Sequence, residues 1–292
     1  MEGNRVEVED TYAEAFEGYY ARLIVTALSE KWAEHAVREA TSYATSMVGC
    51  SSEAGIEGIA RDTPDGRPGY VIQIWAPKKR MKDELLGRIG QCILTTPTTA
   101  VWNHGASEEK LDIGYKMRYY GDGYEELRSI AGRKMVAIPV MSGEFLIERE
   151  FSITKGVMGG NFFILADSQS SALKAAEKAS GAIHTVGSVI TPFPGGVCGA
   201  GSKVGSTRYK FMHATTNEVY CPTIVDRVRN SKVNGIGGVA EIVIDGISED
   251  KVREAMSAGI KAALGHGGVK RISAGNYGGT LGNVIIRLRD LI

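Results

Sequence analysis

In the stretch Gly237–Ser248, "GGVAEIVIDGIS", one carboxylate interrupts an otherwise apolar strand pattern. Side chains alternate between the two faces of a strand, so Ala240, Ile242 and Ile244 share one apolar face, while Val239, Glu241, Val243 and Asp245 share the other. Two readings of Glu241 stand. On a solvated face it is ordinary surface charge. In a cleft between Val239 and Val243, desolvation disfavours the anion and raises the pKa towards neutrality, which suits a general acid or base.

The other segments with chemical potential are loops. "GVMGGNFF" precedes a strand, whereas the dinucleotide fingerprint follows one, and "PGGVCGAGSKVGS" lacks the Gly-Lys-Ser/Thr ending of a phosphate loop. Their glycines either permit positive φ at turns or bring backbone amides to a ligand cleft as anion or oxyanion donors. "TTPTTAVW" and "HATTNEVYCPT" collect hydroxyls and amides around proline, either as turn chemistry or as the wall of a pocket for a polar ligand. Cys198 in "GGVCGAG" has no nearby histidine to serve as its base, and is read as a free buried thiol. The five histidines and four cysteines are dispersed without metal-ligand spacing, so no metal site is expected.

These residues need elements to position them, and the hydrophobic periodicity supplies four strand–helix–strand units. "ARLIVTA", "SEKWAEHAVREAT" and "ATSMVG" form the first; "YVIQIWA", "DELLGRIGQCI" and "LTTPTTAVW" form the second. The third runs "NFFILAD", "SALKAAEKASGAI", "GSVITPFPGG", and the fourth "AEIVIDG", "SEDKVREAMSAGIKAAL", "VKRISAGNYGG". The last two repeat at an interval of about 80 residues, each closing on a glycine pair, Gly195-Gly196 and Gly278-Gly279. Ser29, Ser170 and Ser248 stand before helical stretches as candidate caps. Between the halves, residues 114–153 alternate with turns at "GDG" and "SGE" and are expected to form strands and hairpins. The resulting expectation is an α/β (α+β) chain of two similar ferredoxin-like split-βαβ sandwich lobes, residues 1–150 and 151–292.

Bulk composition narrows the function classes. At 292 residues and 43% hydrophobic, the chain can bury a sizeable core, and its 34 basic and 34 acidic residues cancel. Such balance argues against a nucleic-acid or anionic-membrane surface. "KKRMK" at 78–82 runs straight into acidic residues and reads as a solvated helix start. No apolar run approaches the ~20 residues of a membrane span, the N-terminus is acidic, and the cysteines lack disulfide-like spacing, so a cytoplasmic, reducing location is expected.

Taken together and in order, "VEVEDTYAEAF", "EAGIEG", "TPDGRPG", "RIGQC", "TPT", "YYGDGY", "IPVMSGEF", "GGNFFI", "PFPGG", "SKVGS", "TNEVYCPT", "EIVIDG", "RISAGNYGG" and "RLRDLI" resemble the formylmethanofuran:tetrahydromethanopterin formyltransferase family from end to end. The resemblance implies an enzyme without prosthetic group or metal, moving a formyl group reversibly between methanofuran and tetrahydromethanopterin as carrier substrates. It further implies two similar lobes and a homo-oligomer, dimer or tetramer. It places the family's acid/base carboxylate on Glu241, and substrate or oxyanion contacts on Asn161, Phe193, Pro194, Gly195, Gly196, Asn217, Tyr220 and Asn276, with Phe193 and Pro194 as a flat apolar wall. An alternative of another class is a non-catalytic carrier-binding or scaffold subunit of a formyltransferase/hydrolase complex. Formyl transfer by the purified chain discriminates the two.

Overall fold

The computed structural model describes residues 6–292 and shows a mixed α/β chain. It divides into two compact units, one of Gly18–Lys155, the other of Gly156–Ile292 with the chain up to Glu17.

In the first unit the strands run in the spatial order Glu53–Ala60, Gly69–Trp75, the part of Tyr12–Thr26 from Gly18 on, Ala100–Asn103, Gly143–Glu148, Arg133–Val140, Glu126–Ile130. Alternation does the sorting: Ala21, Leu23, Val25, Ile72 and Ile74 all point to one face and are buried against Ala36, Val37 and Ala40 of helix Glu30–Thr41 and Met81 and Leu85 of helix Lys78–Arg88. The basic run at 78–82 begins that second helix, as its composition suggested. Two expectations fail here. "ATSMVG" is not a strand: it offers only two adjacent apolar residues, and it folds into a turn in which the Ser46 carbonyl accepts from the Gly49 and Cys50 amides while Glu53 accepts from Met47 N–H. The strand begins instead at Glu53. The segment from Gly114 is helical to Gly121, where Arg118 stacks on the Tyr115 ring at 3.5 Å, and Asp122 ends it in a left-handed conformation. The hairpin turn expected at "GDG" falls later, at Ala131-Gly132, where both residues have positive φ as a type I′ turn requires, while the second turn, Met141-Ser142, overlaps the expected "SGE".

The second unit contains the strand carrying Glu241. Gly238–Gly246 pairs antiparallel with Glu150–Ala166, which pairs on its other side with Val269–Ser273. Helices Gln169–His184 and Glu249–Leu264 cover one face, burying Phe162, Ile164, Ala240, Ile242 and Ile244 against a run of alanines. Small side chains let the helices approach closely. A Cβ on Gly259 would lie 2.8 Å from Ile183 and 2.9 Å from Phe162. The caps are Ser248, which accepts from Lys251 N–H, and Ser168, which accepts from Ser171 N–H; Ser170 lies inside its helix, and Ser29 occupies its cap position without a side-chain bond. "GSVITPFPGG" pairs only over Val189–Ile190, because the prolines that follow lack the ladder donor. "GVMGGNFF" does not precede its strand but forms a bulge within it, with Asp245 accepting from Gly159 N–H at 3.0 Å. The opposite face of this sheet, with Phe163, Leu165 and Val239, is covered by irregular chain that includes Tyr220 and Val233. Tyr12–Ala15 join this unit through antiparallel pairing with Val284–Arg287.

Candidate active site

Glu241 faces away from the two helices, directly opposite Phe163 in the register. On its free edge Cys198 adds a single-residue bridge: Cys198 N–H donates to the Glu241 carbonyl at 2.8 Å, and Glu241 N–H to the Cys198 carbonyl at 3.3 Å. The chain then curls back over the strand, and Ser202 meets the carboxyl group with two donors. Its N–H donates to Oε2 at 2.7 Å and its hydroxyl to Oε1 at 2.5 Å. Glu241 is only 2% exposed. Burial pushes its pKa up to about 7, against the pull of the Ser202 and Cys198 hydrogen bonds that favour the anion. A carboxyl with that balance can take and return a proton near neutral pH.

Beside it lies a cavity of about 40 Å³ lined by Glu241, Phe163, Cys198, Gly201, Asn217 and Tyr220, with room for water-sized groups. Phe163 and Tyr220 stack with centroids 4.2 Å apart, and the Tyr220 hydroxyl lies 3.2 Å from Ser273 Oγ. Cys198 is the one buried cysteine; burial and the neighbouring carboxylate push its thiol up to about 12, so it serves as a weak donor rather than a nucleophile. Cys50, Cys92 and Cys221 are free and half-buried, more open than the buried thiols the sequence suggested.

The remaining sequence-selected residues divide by location. Asn217 and Tyr220 line the cavity with Glu241. Asn161 shares Glu241's sheet face, but its side chain is spent on the next loop, accepting from Gly275 N–H at 2.7 Å and donating to the Gly275 carbonyl. Asn276 likewise donates to Thr11 Oγ1 and the Tyr12 carbonyl. Phe193, Pro194, Gly195 and Gly196 form a tight turn against helix Gln169–His184, where Ser180 donates to the Gly195 carbonyl, and none of the four lines the cavity.

Sequence reasoning missed three residues that the fold brings into the arrangement. Ser202 stands in "SKVGS", but nothing local marks it as a partner of a residue 39 positions away. Glu14 gathers the N–H groups of Tyr277, Gly279, Leu281 and Gly282 at 2.6–3.1 Å; burial alone would raise its pKa, and these four donors together hold it below the usual value. The loop so held presents the Tyr277 hydroxyl, which accepts from Val204 N–H at 2.7 Å, two residues past Ser202. The glycine pair Gly278-Gly279, both at positive φ, gives this loop the curvature that aims successive amides at one carboxylate.

Among the described residues no group of three or more His, Cys, Asp or Glu is placed to hold a metal ion, and no helix is long and apolar enough to cross a membrane. What the fold and site define is a mixed α/β protein whose sheet carries a secluded carboxyl group with a pKa raised to about 7. Comparison with known proteins makes this specific: the sequence model of formylmethanofuran-tetrahydromethanopterin formyltransferase matches residues 1–140, and the model of the family's proximal lobe matches residues 143–291. The chain belongs to this formyltransferase family. It is 55% identical to the formylmethanofuran–tetrahydromethanopterin formyltransferase of Methanothermobacter thermautotrophicus, with 100% of both chains covered, and 51% identical to that of Methanocaldococcus jannaschii, with 100% of this chain and 99% of the other covered. Among solved structures, the enzyme of that name from Methanosarcina barkeri superposes with a TM-score of 0.94 at 48% identity, covering 100% of both chains. A chain of the formyltransferase/hydrolase complex of Methylorubrum extorquens, solved with methylofuran, superposes with a TM-score of 0.93 at 40% identity, covering 100% of this chain and 98% of that one.

Proposed function

We propose that the protein transfers a formyl group reversibly from formylmethanofuran to tetrahydromethanopterin, giving 5-formyltetrahydromethanopterin and methanofuran by direct acyl exchange in a ternary complex. Full-length membership of the formyltransferase family supplies the reaction. The observation that carries the mechanism is Glu241, dry, doubly hydrogen-bonded and balanced near pH 7.

The pterin nitrogen attacks the formyl carbon, a C–N bond forms, and the carbonyl oxygen takes up the electron pair as an oxyanion. Glu241, ionised at the start, accepts the proton that the attacking nitrogen sheds. When the oxyanion collapses, the bond to the methanofuran nitrogen breaks and Glu241 returns the proton to that leaving amine. Atoms and charge balance with no redox step, and no prosthetic group is called on. A positioned carboxyl group of this kind contributes about 10²–10⁴-fold. Preorganised donors at the oxyanion add about 3 kcal/mol each.

Substrate contacts follow the same reading. Asn217 and Tyr220 sit beside the carboxyl group and are offered as polar contacts. The Gly195-Gly196 turn lies outside the cavity, with Gly196 N–H given to the Phe193 carbonyl, and is offered for oxyanion or substrate donors only once substrate extends beyond the cavity, with Phe193 and Pro194 as a flat wall and Asn161 and Asn276 as the braces of the loop between Gly275 and Gly279. The helices Gln169–His184 and Glu249–Leu264 on one face of a largely antiparallel sheet support a split-βαβ, ferredoxin-like description of the lobes. A homo-oligomer, dimer or tetramer, acting in the cytoplasm belongs to the same proposal, as does the division into lobes near residue 150.

The test is a spectrophotometric transfer assay on the purified chain with both carriers. Glu241→Gln is expected to lower kcat by about 10²–10⁴-fold with KM values little changed. Wild-type turnover in that variant would remove Glu241 from the chemistry, and absence of transfer by the parent chain would favour the scaffold reading instead.

A further inference from the structure

We infer that Ser202 is a positioning residue for the transfer, holding both oxygens of Glu241 in the orientation in which the carboxyl meets the reacting nitrogens. The inference rests on the acid–base role proposed for Glu241.

The geometry is specific. One residue reaches both oxygens of this 2%-exposed carboxyl, backbone N–H to Oε2 at 2.7 Å and hydroxyl to Oε1 at 2.5 Å, beside the weaker Cys198 thiol. A carboxylate oxygen has two lone pairs, so a reacting nitrogen can approach one while Ser202 keeps the carboxyl aimed. Of the two contacts the hydroxyl can rotate, while the backbone N–H is fixed.

Ser202 is itself held on both sides. Upstream, Cys198 is bridged to the Glu241 backbone and Asn217 N–H donates to the Ala200 carbonyl at 3.3 Å. Gly201 has φ +82°, and a Cβ there would lie 2.7 Å from Asn217 Cβ, so this close approach depends on glycine. Downstream, Lys203 and Val204 pair with Thr215 and Ala214, and Val204 N–H is caught by the Tyr277 hydroxyl. Glu14, through its four loop amides, fixes the segment that carries Tyr277. Glu14, Tyr277, Val204 and Ser202 thus form a chain of contacts ending on Glu241.

The titratable groups around the carboxyl come from each packed element: Cys198 on the edge bridge, Tyr220 and Cys221 on the covering turn, Tyr277 on the loop, and Lys203 next along the segment, engaged by Glu218 at 2.5 Å. Cys198, Cys221 and Tyr277 are each pushed up by burial and remain neutral near pH 7, while Glu14 is held down and remains ionised. A limb of the rate profile near neutrality thus belongs to Glu241. Because the base form starts the reaction, kcat is lost as pH falls through that limb.

Removing the hydroxyl removes a stabiliser of the anion, so the limb moves to higher pH. For Ser202→Ala we expect a rise of about one pH unit and, at pH 7, a fall of about fivefold in kcat, with KM for both carriers unchanged within about twofold. Ser202→Thr is expected to restore the parental limb. Tyr277→Phe, which frees Val204 N–H, is expected to move it in the same direction by less, and keeps the test open if Ser202→Ala does not fold. Limbs of Ser202→Ala and Tyr277→Phe that coincide with the parent's, while Glu241→Gln is inactive, would overturn this inference and leave the acid–base reading intact. Parental turnover in Glu241→Gln would overturn the reading itself.

Discussion

Burying Glu241 comes at the expense of stability at neutral pH. A carboxyl whose pKa rises on folding favours the native state while it is protonated in both states, and that contribution is lost as pH rises from its ordinary value to its folded value. For Glu241 the window runs from 4.5 to about 7, a cost at higher pH of about 3 kcal/mol. Glutamine keeps the shape and stays neutral. Glu241→Gln is therefore expected to melt above the parent at pH 8, with the gap in Tm closing as pH falls towards 4.5; calorimetry of both proteins across that range checks it. A stabilised protein that has lost turnover is the usual signature of an active-site carboxyl. A parent that melts above the variant at pH 8 would place Glu241 among ordinary structural hydrogen-bonding residues.

The helices and the strand divide the labour by face. Ile242 and Ile244 meet the helices, and Glu241 meets the loops, so packing changes on the helix side can be made without touching the carboxyl. Gly259→Ala tests that separation. Helix propensity favours alanine by ~1 kcal/mol, but a methyl group placed 2.8 Å from Ile183 and 2.9 Å from Phe162 overpacks the interface, which costs ~1–3 kcal/mol. The packing term is the larger. The variant is expected to lose thermal stability while keeping parental kcat, as measured by thermal melts and the transfer assay. The strands and helices on this side were legible in the sequence because their periods are strong: "AEIVIDG" alternates, and "SEDKVREAMSAGIKAAL" repeats its apolar residues at helical spacing. "ATSMVG" and "GYKMRYYG" were misread because short segments carry too few apolar positions to define a period, and a turn hydrogen bond or a cation–π stack then decides them.

At the scale of the whole molecule, Glu14 links positions 263 to 268 residues apart in the chain. Its carboxylate is the shared acceptor of four amide donors. Glu14→Ala leaves those donors to water in a largely exposed loop, at an expected cost of ~1–3 kcal/mol, seen as a lower denaturation midpoint. Its pH dependence has the opposite sign to that of Glu241: a depressed pKa contributes stability above the ordinary value of 4.5 that is lost as pH falls through the folded value. Together the two carboxyl groups predict a parent protein most stable in mildly acidic solution, with Tm falling towards neutrality through Glu241 and falling in acid through Glu14. Removing Glu241 is expected to flatten the neutral side of that curve, and removing Glu14 to shrink the acid side, which Glu84 and Glu218, also held below the usual carboxylate value, share.

From the sequence alone came the position of Glu241 on a strand face opposite Ala240, Ile242 and Ile244, the main helices, and a family resemblance spread along the whole chain. Periodicity is a local property, and a motif is read where it stands. Tertiary structure decided which loops reach the carboxyl. Ser202, Tyr277 and Glu14 lie in turn-rich stretches without a period, and they are brought together by hydrogen bonds between residues far apart in the chain. Burial, too, is collective: only the covering chain makes Glu241 dry, and dryness is what brings an ordinary carboxyl group to a proton affinity near neutrality.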